Sequence, residues 1–368
     1  MGMLAERADH VIGVDTHRDG HAAAIVAAGT GAVLAQTTIT ADAAGYARLL
    51  RFARRRAEGA RAWAIESSGS YGAGLAAFLL EHGEWVVEVD RPQRPARRNG
   101  AKSDALDAIR AAREALEREH LAQPRGRGER EAVRVLLTTR RGAVRARTQA
   151  INQLKALVVS AGEPLRRQLR SLSTDALVDR CARLQLRASH TAEQRATTLA
   201  LRHTARRIRA LDAEANQLES ELARLIEQTI PDLLAEFGVG PISAAQLYCA
   251  WSHRGRLRND GAFAMLAGSA PIPASSGQTI RHRLNRAGDR HLNYALHTIM
   301  LTRLRHDPAT RAYAARRTAD GKTPREIQRC LKRYLARHLF RILEATGPHP
   351  TPTRRLPRNR TRTIGPCS

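Results

Sequence analysis

Val11-Ile12-Gly13-Val14-Asp15-Thr16-His17 contains the first apolar run of the chain. Residues 11–14 read as a short buried strand that ends on a carboxylate at Asp15. Two more strands follow, 21–26 and 32–40, joined across a glycine-flanked turn at 29–31 that signals a hairpin. Residues 41–58 carry helical periodicity and close at Gly59. Residues 62–65 form another strand, which also ends on an acid, Glu66. A helix over 72–82 stops at Gly83, and 85–89 is again a strand. A basic loop, 91–100, leads to a helix over 103–117 with Ser103 as its N-cap.

The resulting order is β-β-β-α-β-α-β-α. It belongs to ribonuclease-H-like (RuvC-like) α/β folds, in which the fourth strand pairs beside the first. We assign residues 1–125 to this domain. Residues 126–230 read as long helices. From Leu201 the apolar positions run Thr204, Ile208, Leu211, Ala215, Leu218, Leu222 and Leu225, a heptad seam of nearly four repeats. With an earlier helix over 129–160 this region reads as a coiled hairpin. An intrachain pair and an intermolecular coiled coil explain the seam equally well. Residues 231–346 form a mostly α domain after Pro231, and 347–368 a proline- and arginine-rich disordered tail.

The charge narrows the partners. The 368 residues carry 61 Lys plus Arg against 35 Asp plus Glu, a net charge of +26. Only four of the 61 are lysine. A GC-rich genome explains arginine over lysine but not the excess of charge. Arginine forks match phosphate oxygens, so a polyanionic partner is expected. No apolar run is long enough to span a bilayer, and Glu6, Arg7 and Asp9 rule out a signal peptide. The four cysteines lie far apart, without a CxxC pair, which fits a reducing cytoplasm and argues against a zinc site.

Three constellations carry chemistry. The first is four acids: Asp15, Glu66, Asp104 and Asp107. The last two share a helix face at i, i+3. Four converging carboxylates repel one another unless cations lie among them, and two hard divalent ions held by oxygens answer that need. Such ions suit phosphodiester chemistry. Taken singly, each acid is an ordinary cap or surface residue. The second is Phe237-Gly238-Val239-Gly240-Pro241 before a helix over 242–251. This resembles a helix-hairpin-helix turn, whose N–H groups meet a phosphate; a plain helix C-cap reads it equally well. The third is Ala274-Ser275-Ser276-Gly277-Gln278, followed by Arg281, Arg283, Arg286 and Arg290. A serine beside glycine, flanked by arginines, has the groups needed to attack phosphorus and to hold the developing charge. The same Ser-Ser-Gly is also an ordinary turn. No GxxxxGK[ST] motif is present.

Taken in order, Val11 to His17, Ile65-Glu66-Ser67-Ser68-Gly69-Ser70-Tyr71 and Lys102-Ser103-Asp104-Ala105-Leu106-Asp107-Ala108 resemble the DEDD domain of one family. These are the insertion-sequence transposases grouped with the Piv and MooV DNA invertases. The Gly238–Gly240 turn, the stretch 263–271, Ser276-Gly277 and Arg286-Ala287-Gly288-Asp289-Arg290-His291-Leu292 resemble that family's C-terminal transposase domain. The likeness spans roughly 10–345. It departs from the family at Gly277-Gln278-Thr279 and at Phe237-Gly238, neither of which removes a proposed reacting group.

The resemblance implies a DNA recombinase guided by a structured noncoding (bridge) RNA that pairs with donor and target DNA. It implies Asp15, Glu66, Asp104 and Asp107 as ligands of Mg²⁺ or Mn²⁺. It implies Ser276, rather than Ser275, as the nucleophile of a covalent phosphoserine link. Gly238, Gly240, Arg281, Arg283, Arg286 and Arg290 would contact nucleic acid. The protein would act as a homo-oligomer, dimer to tetramer, in the cytoplasm near the nucleoid and away from membranes, with an active site shared between protomers. Two other readings remain: a metal-dependent junction nuclease of RuvC type that needs no serine, and a non-catalytic nucleic-acid-binding protein, which would not need an intact acid set.

Overall fold

A computed structural model describes residues 3–66, 68–89, 104–274, 282–283, 285 and 287–347. The expected N-cap Ser103, the basic loop 91–100 and the tail beyond Gly347 lie outside these residues. The chain forms two compact units. One comprises Met1–Arg127 with Ser252–Arg258; the other comprises Gly128–Trp251 with Asn259–Gly347.

The first unit is built on a five-stranded mixed sheet. Its elements are β1 (His10–Thr16), β2 (Gly20–Ala27), β3 (Val33–Thr40), α1 (Ala43–Arg56), β4 (Arg61–Glu66), α2 (Ala73–Glu81), β5 (Trp85–Val89) and α3 (Asp104–Glu117). The strand order is β3-β2-β1-β4-β5. β1, β2 and β3 run antiparallel as a meander, while β1, β4 and β5 are parallel. The parallel pairs demand crossover connections, which α1 and α2 provide.

Alternation along the strands assigns each sheet face its cover. Ile12, Val14, Trp63 and Ile65 pack with Leu49, Leu50 and Ala53 of α1 and Leu75 and Leu79 of α2. Val11, Ala62, Ala64, Val87 and Val89 pack with Ala111, Ala112 and Ala115 of α3. The α3 face is almost pure alanine, so this helix lies unusually close to the sheet. A Cβ on Gly13 would fall 2.0 Å from the Ala108 carbonyl oxygen and 2.6 Å from the Ala112 nitrogen.

The second unit is helical. The elements are α4 (Glu129–Ser160), α5 (Glu163–Leu169), α6 (Thr174–Ala182), α7 (Ala192–Thr229), α8 (Pro231–Ala235), α9 (Pro241–Trp251) and α10 (Asp260–Leu266). Two short strands follow, β6 (Ile272–Pro273) and β7 (His282–Arg283), then α11 (Arg290–His306), α12 (Pro308–Ala319) and α13 (Pro324–Thr346). Capping boxes at Thr191/Gln194 and Thr323/Glu326 start α7 and α13, and Pro231, Pro308 and Pro324 occupy the first turn of α8, α12 and α13.

α4 and α7 pair antiparallel within the chain. Arg140 meets Glu219, Arg147 meets Asp212, and Arg207 meets Gln153. Of the heptad positions, Leu201, Thr204, Ile208, Ala215 and Leu222 are buried, whereas Leu211, Leu218 and Leu225 are half-buried. α5 and α6 fill the end of this pair, around Leu169, Leu177 and Cys181. α9 is buried along most of its length and packs on α4, α7 and α11. The buried Arg130 guanidinium donates to the Cys249 carbonyl at 3.0 and 3.3 Å. The middle helices and the C-terminal helices thus share one unit, because α9 is apolar nearly all round and needs cover on every side.

Candidate metal centre and serine segment

Asp15 lies at the C-terminal end of β1, on the same face as Val11 and Gly13 and therefore facing α3. Glu66 is the last residue of β4, on the face of Ala62 and Ala64, which is again the α3 face. The parallel register pairs Gly13 with Ala64 and Val14 with Ile65. One step further brings Asp15 and Glu66 side by side, and the Thr16 hydroxyl donates to the Glu66 carbonyl at 3.1 Å to fix the strand ends. Asp104 and Asp107 occupy the first turn of α3. Ala108, one turn after Asp104, is the residue on which Gly13 rests. The glycine–alanine contact therefore sets how far the helical acids stand from the strand acids.

His17, just past the end of β1, completes the group. Its Nε2 lies 3.1 Å from Asp15 Oδ2 and 3.4 Å from Asp104 Oδ1. One ligand atom from each of Asp15, His17 and Asp104 lies within 4.8 Å of the others. Asp107 accepts a hydrogen bond from Arg110 at 2.7 Å. Burial pushes the Asp15 carboxyl above its ordinary range; His17 draws it back, and the charges of Asp107 and Asp104 raise it further. An open cleft of about 570 Å³ adjoins the group, lined by His17, Arg18, Thr38, Tyr71 and Asp104.

A buried carboxyl with a raised pKa, held beside further acids and an imidazole, is a donor set that fits a divalent cation. Ligands at adjacent corners of an octahedral ion with bonds of about 2.1 Å stand about 3 Å apart, close to the separations around His17. His17 is not among the site residues expected from the sequence. The signal available was its place two residues after Asp15, but its approach to Asp104 depends on where α3 docks.

The remaining expected site residues belong to the second unit. β6 and β7 pair antiparallel, Ile272 with Arg283 and Pro273 with His282. The connection between them holds Ser275, Ser276 and Arg281, which lie outside the described residues, as does Arg286. Arg283 on β7 and Arg290 at the start of α11 are exposed. The segment after β7 is clamped to the end of α10. Asn285 donates to the Met265 carbonyl at 3.1 Å, the Asp289 amide donates to Leu266 at 2.7 Å, and Asn293 donates to Ala267 at 2.7 Å. Lys332 donates to Asn293 at 2.9 Å, its amine pushed below the usual lysine range by burial and by Arg329. Gly238, at φ +81°, and Gly240 form the turn between α8 and α9.

No described helix is long and apolar enough to cross a membrane. Residues 12–162 match a family model described as a transposase, of the DEDD type of the IS110 group. Residues 232–315 match a second, described as the transposase of the IS116/IS110/IS902 family. Over 86% of this chain and 90% of the relative, the sequence is 26% identical to a protein of Streptomyces clavuligerus described as the insertion element IS116 uncharacterized 44.8 kDa protein.

Proposed function

The chain belongs to the IS116/IS110/IS902 family of insertion-sequence transposases, and from that premise we propose that it cuts and rejoins DNA through a phosphoserine intermediate, directed by a guide RNA. The observation that supports the reading is Asp15 at the end of β1 grouped with His17 and Asp104, with the charge of Asp107 also acting on it and Glu66 at the neighbouring strand end. On this reading the sheet is a ribonuclease-H-like (RuvC-like) platform. The four acids hold divalent metal, which when bound supplies positive charge for a scissile phosphate.

Ser276 is the nucleophile. Its Oγ–phosphorus bond forms as the bond from phosphorus to one sugar oxygen breaks. The hydroxyl proton passes to solvent or to that leaving oxygen. A sugar hydroxyl then attacks the phosphoserine, the Oγ–phosphorus bond breaks, and the serine regains a proton. The phosphodiester energy is conserved, so no nucleotide cofactor is consumed. Arg281, Arg283, Arg286 and Arg290 neutralise the phosphate, and the Gly238–Gly240 turn, read as a helix-hairpin-helix element, meets the DNA backbone. The half-buried Leu211, Leu218 and Leu225 support a coiled-coil role for the α7 arm in holding protomers together. Sequence choice rests with guide pairing, the protein reading backbone and shape.

The test is covalent capture. Full-length protein is incubated with its flanking RNA, donor and target DNA and Mg²⁺, then run on a denaturing gel. A protein–DNA adduct is expected, absent in Ser276→Ala, retained in Ser275→Ala and weakened in Asp15→Ala. Cleavage without an adduct, unchanged in Ser276→Ala, would overturn the serine step and favour a metal-dependent junction nuclease.

A further inference from the structure

We propose that His17 is a nitrogen ligand of the acid centre, and that the centre consequently favours Mn²⁺ over Mg²⁺. The inference rests on the metal-binding reading above and adds to it a donor that is not a carboxylate. His17 adds little to packing: its side chain is 49% exposed. The local turn is held without it, since the His17 backbone N–H donates to the Gly20 carbonyl at 3.1 Å. The ring nonetheless reaches both a strand acid and a helix acid, with Nε2 at 3.1 Å from Asp15 and 3.4 Å from Asp104. One imidazole nitrogen thus stands within reach of carboxylates carried by two different elements, and one ligand atom from each of the three residues lies within 4.8 Å of the others.

The metal preference follows from donor chemistry. Mg²⁺ is hard, seeks oxygen and gives up water reluctantly, so an imidazole nitrogen adds little to its binding. Affinity of nitrogen-containing sites for first-row divalent ions rises from Mn²⁺ onward. A set of carboxylates alone would not separate the two ions in this way.

The experiment uses metal-free full-length protein, Mn²⁺ and Mg²⁺ as probes, and the variants His17→Gln and Asp15→Asn. Binding of each ion is measured by calorimetric titration, and bound Mn²⁺ is examined by electron spin-echo envelope modulation for a directly bonded nitrogen. Wild type is expected to bind Mn²⁺ more tightly than Mg²⁺ and to show the nitrogen modulation. His17→Gln should lose the modulation. Its Mn²⁺ affinity should fall by at least the about 10–100-fold that removing a residue which only orients a ligand costs, with Mg²⁺ affinity little changed. Asp15→Asn should weaken both ions. Mn²⁺ bound without nitrogen modulation, or modulation that survives in His17→Gln, would overturn the His17 assignment and leave the metal centre standing. Failure of wild type to bind either ion, or binding unaffected in Asp15→Asn, would overturn the metal centre and the His17 assignment together.

Discussion

Gly13 on β1 and Ala108 on α3 touch so closely that one added methyl at Gly13 would lie 2.0 Å from the Ala108 carbonyl. Backbone cannot yield there as a flexible side chain would. Gly13→Ala is therefore expected to push α3 away from the strand and to separate Asp104 and Asp107 from Asp15. Overpacking of this kind costs about 1–3 kcal/mol. A urea titration should show that loss, and the covalent adduct should fall far more than the lost stability accounts for. Unchanged adduct yield would show that the helix can shift without consequence for the acids.

Glu84 gives the first unit a pH dependence. It accepts from Arg61 at 2.6 and 2.8 Å and from the Trp63 indole at 2.9 Å, with Arg54 at 3.5 Å. Burial raises its pKa, but the hydrogen bonds from Arg61 and Trp63 and the charges of Arg61 and Arg54 outweigh burial and hold the carboxyl below its ordinary range. A pKa depressed by folding contributes stability above the unfolded value of about 4.3. That contribution disappears as pH falls through the folded pKa. Glu84→Gln, which removes the charge facing Arg61 and turns one of the two acceptor oxygens into a donor, should cost about 1–3 kcal/mol near neutrality. Denaturation followed by tryptophan fluorescence should show the difference between wild type and variant shrinking on acidification below about pH 4.

The two arms of the second unit make a contrasting case. Arg147 and Asp212 pair between α4 and α7, with side chains 32% and 41% exposed. A double-mutant cycle with Arg147→Ala and Asp212→Ala should return a coupling of about 0.2–1 kcal/mol that fades in high salt. A salt-independent coupling well above that range would mean the pair is drier than its exposure indicates.

Three glycines of the second unit should separate cleanly. A Cβ on Gly240 meets nothing within 4 Å, so Gly240→Ala should change stability by no more than about 0.5 kcal/mol. Gly238, at φ +81°, resists any side chain, and Gly238→Ala should cost about 1–3 kcal/mol. Gly288→Ala would place a Cβ 2.3 Å from the Gly268 nitrogen and disturb the clamp that follows β7. Its adduct yield should drop even at temperatures where circular dichroism shows it folded.

DNA affinity should report the charge. Each phosphate neutralised adds about −0.9 to the slope of log affinity against log salt. A protein with net charge +26 that makes six to ten such contacts should lose about 10³–10⁵ in affinity between 50 and 200 mM salt. A flat titration would mean that arginine abundance serves something other than phosphate.

Much of the first unit was legible because its signals are local. A run such as Val11 to Val14 must be buried; the strand it opens extends one residue beyond Asp15, to Thr16, while the strand over 62–65 ends on Glu66 as expected. The helix expected over 129–160 has the same bounds in the structure. What the sequence could not yield depends on docking. His17 approaches Asp104 only because α3 can descend onto Gly13, and no local pattern records that distance. α5 and α6 are short, and their apolar residues gain meaning only at the end of the α4–α7 pair. Nothing local in the sequence sets Arg130 apart from the other arginines of α4. Its burial under the last turn of α9 comes from a partner more than a hundred residues away.

Asp15, Glu66, Asp104 and Asp107 all precede residue 108, whereas Ser276 comes about 170 residues later. At synthesis rates of about 5–20 residues per second, that gap lasts roughly 10–30 s. On the proposed reading, a chain still on the ribosome carries all four acids well before the proposed nucleophile has been made. If Ser276 is the nucleophile, translation itself separates synthesis of the acids from the capacity to break a strand. A message cut short anywhere in this interval would leave a fragment with the acids and no nucleophile, a competitor for metal that cannot damage DNA by the serine route.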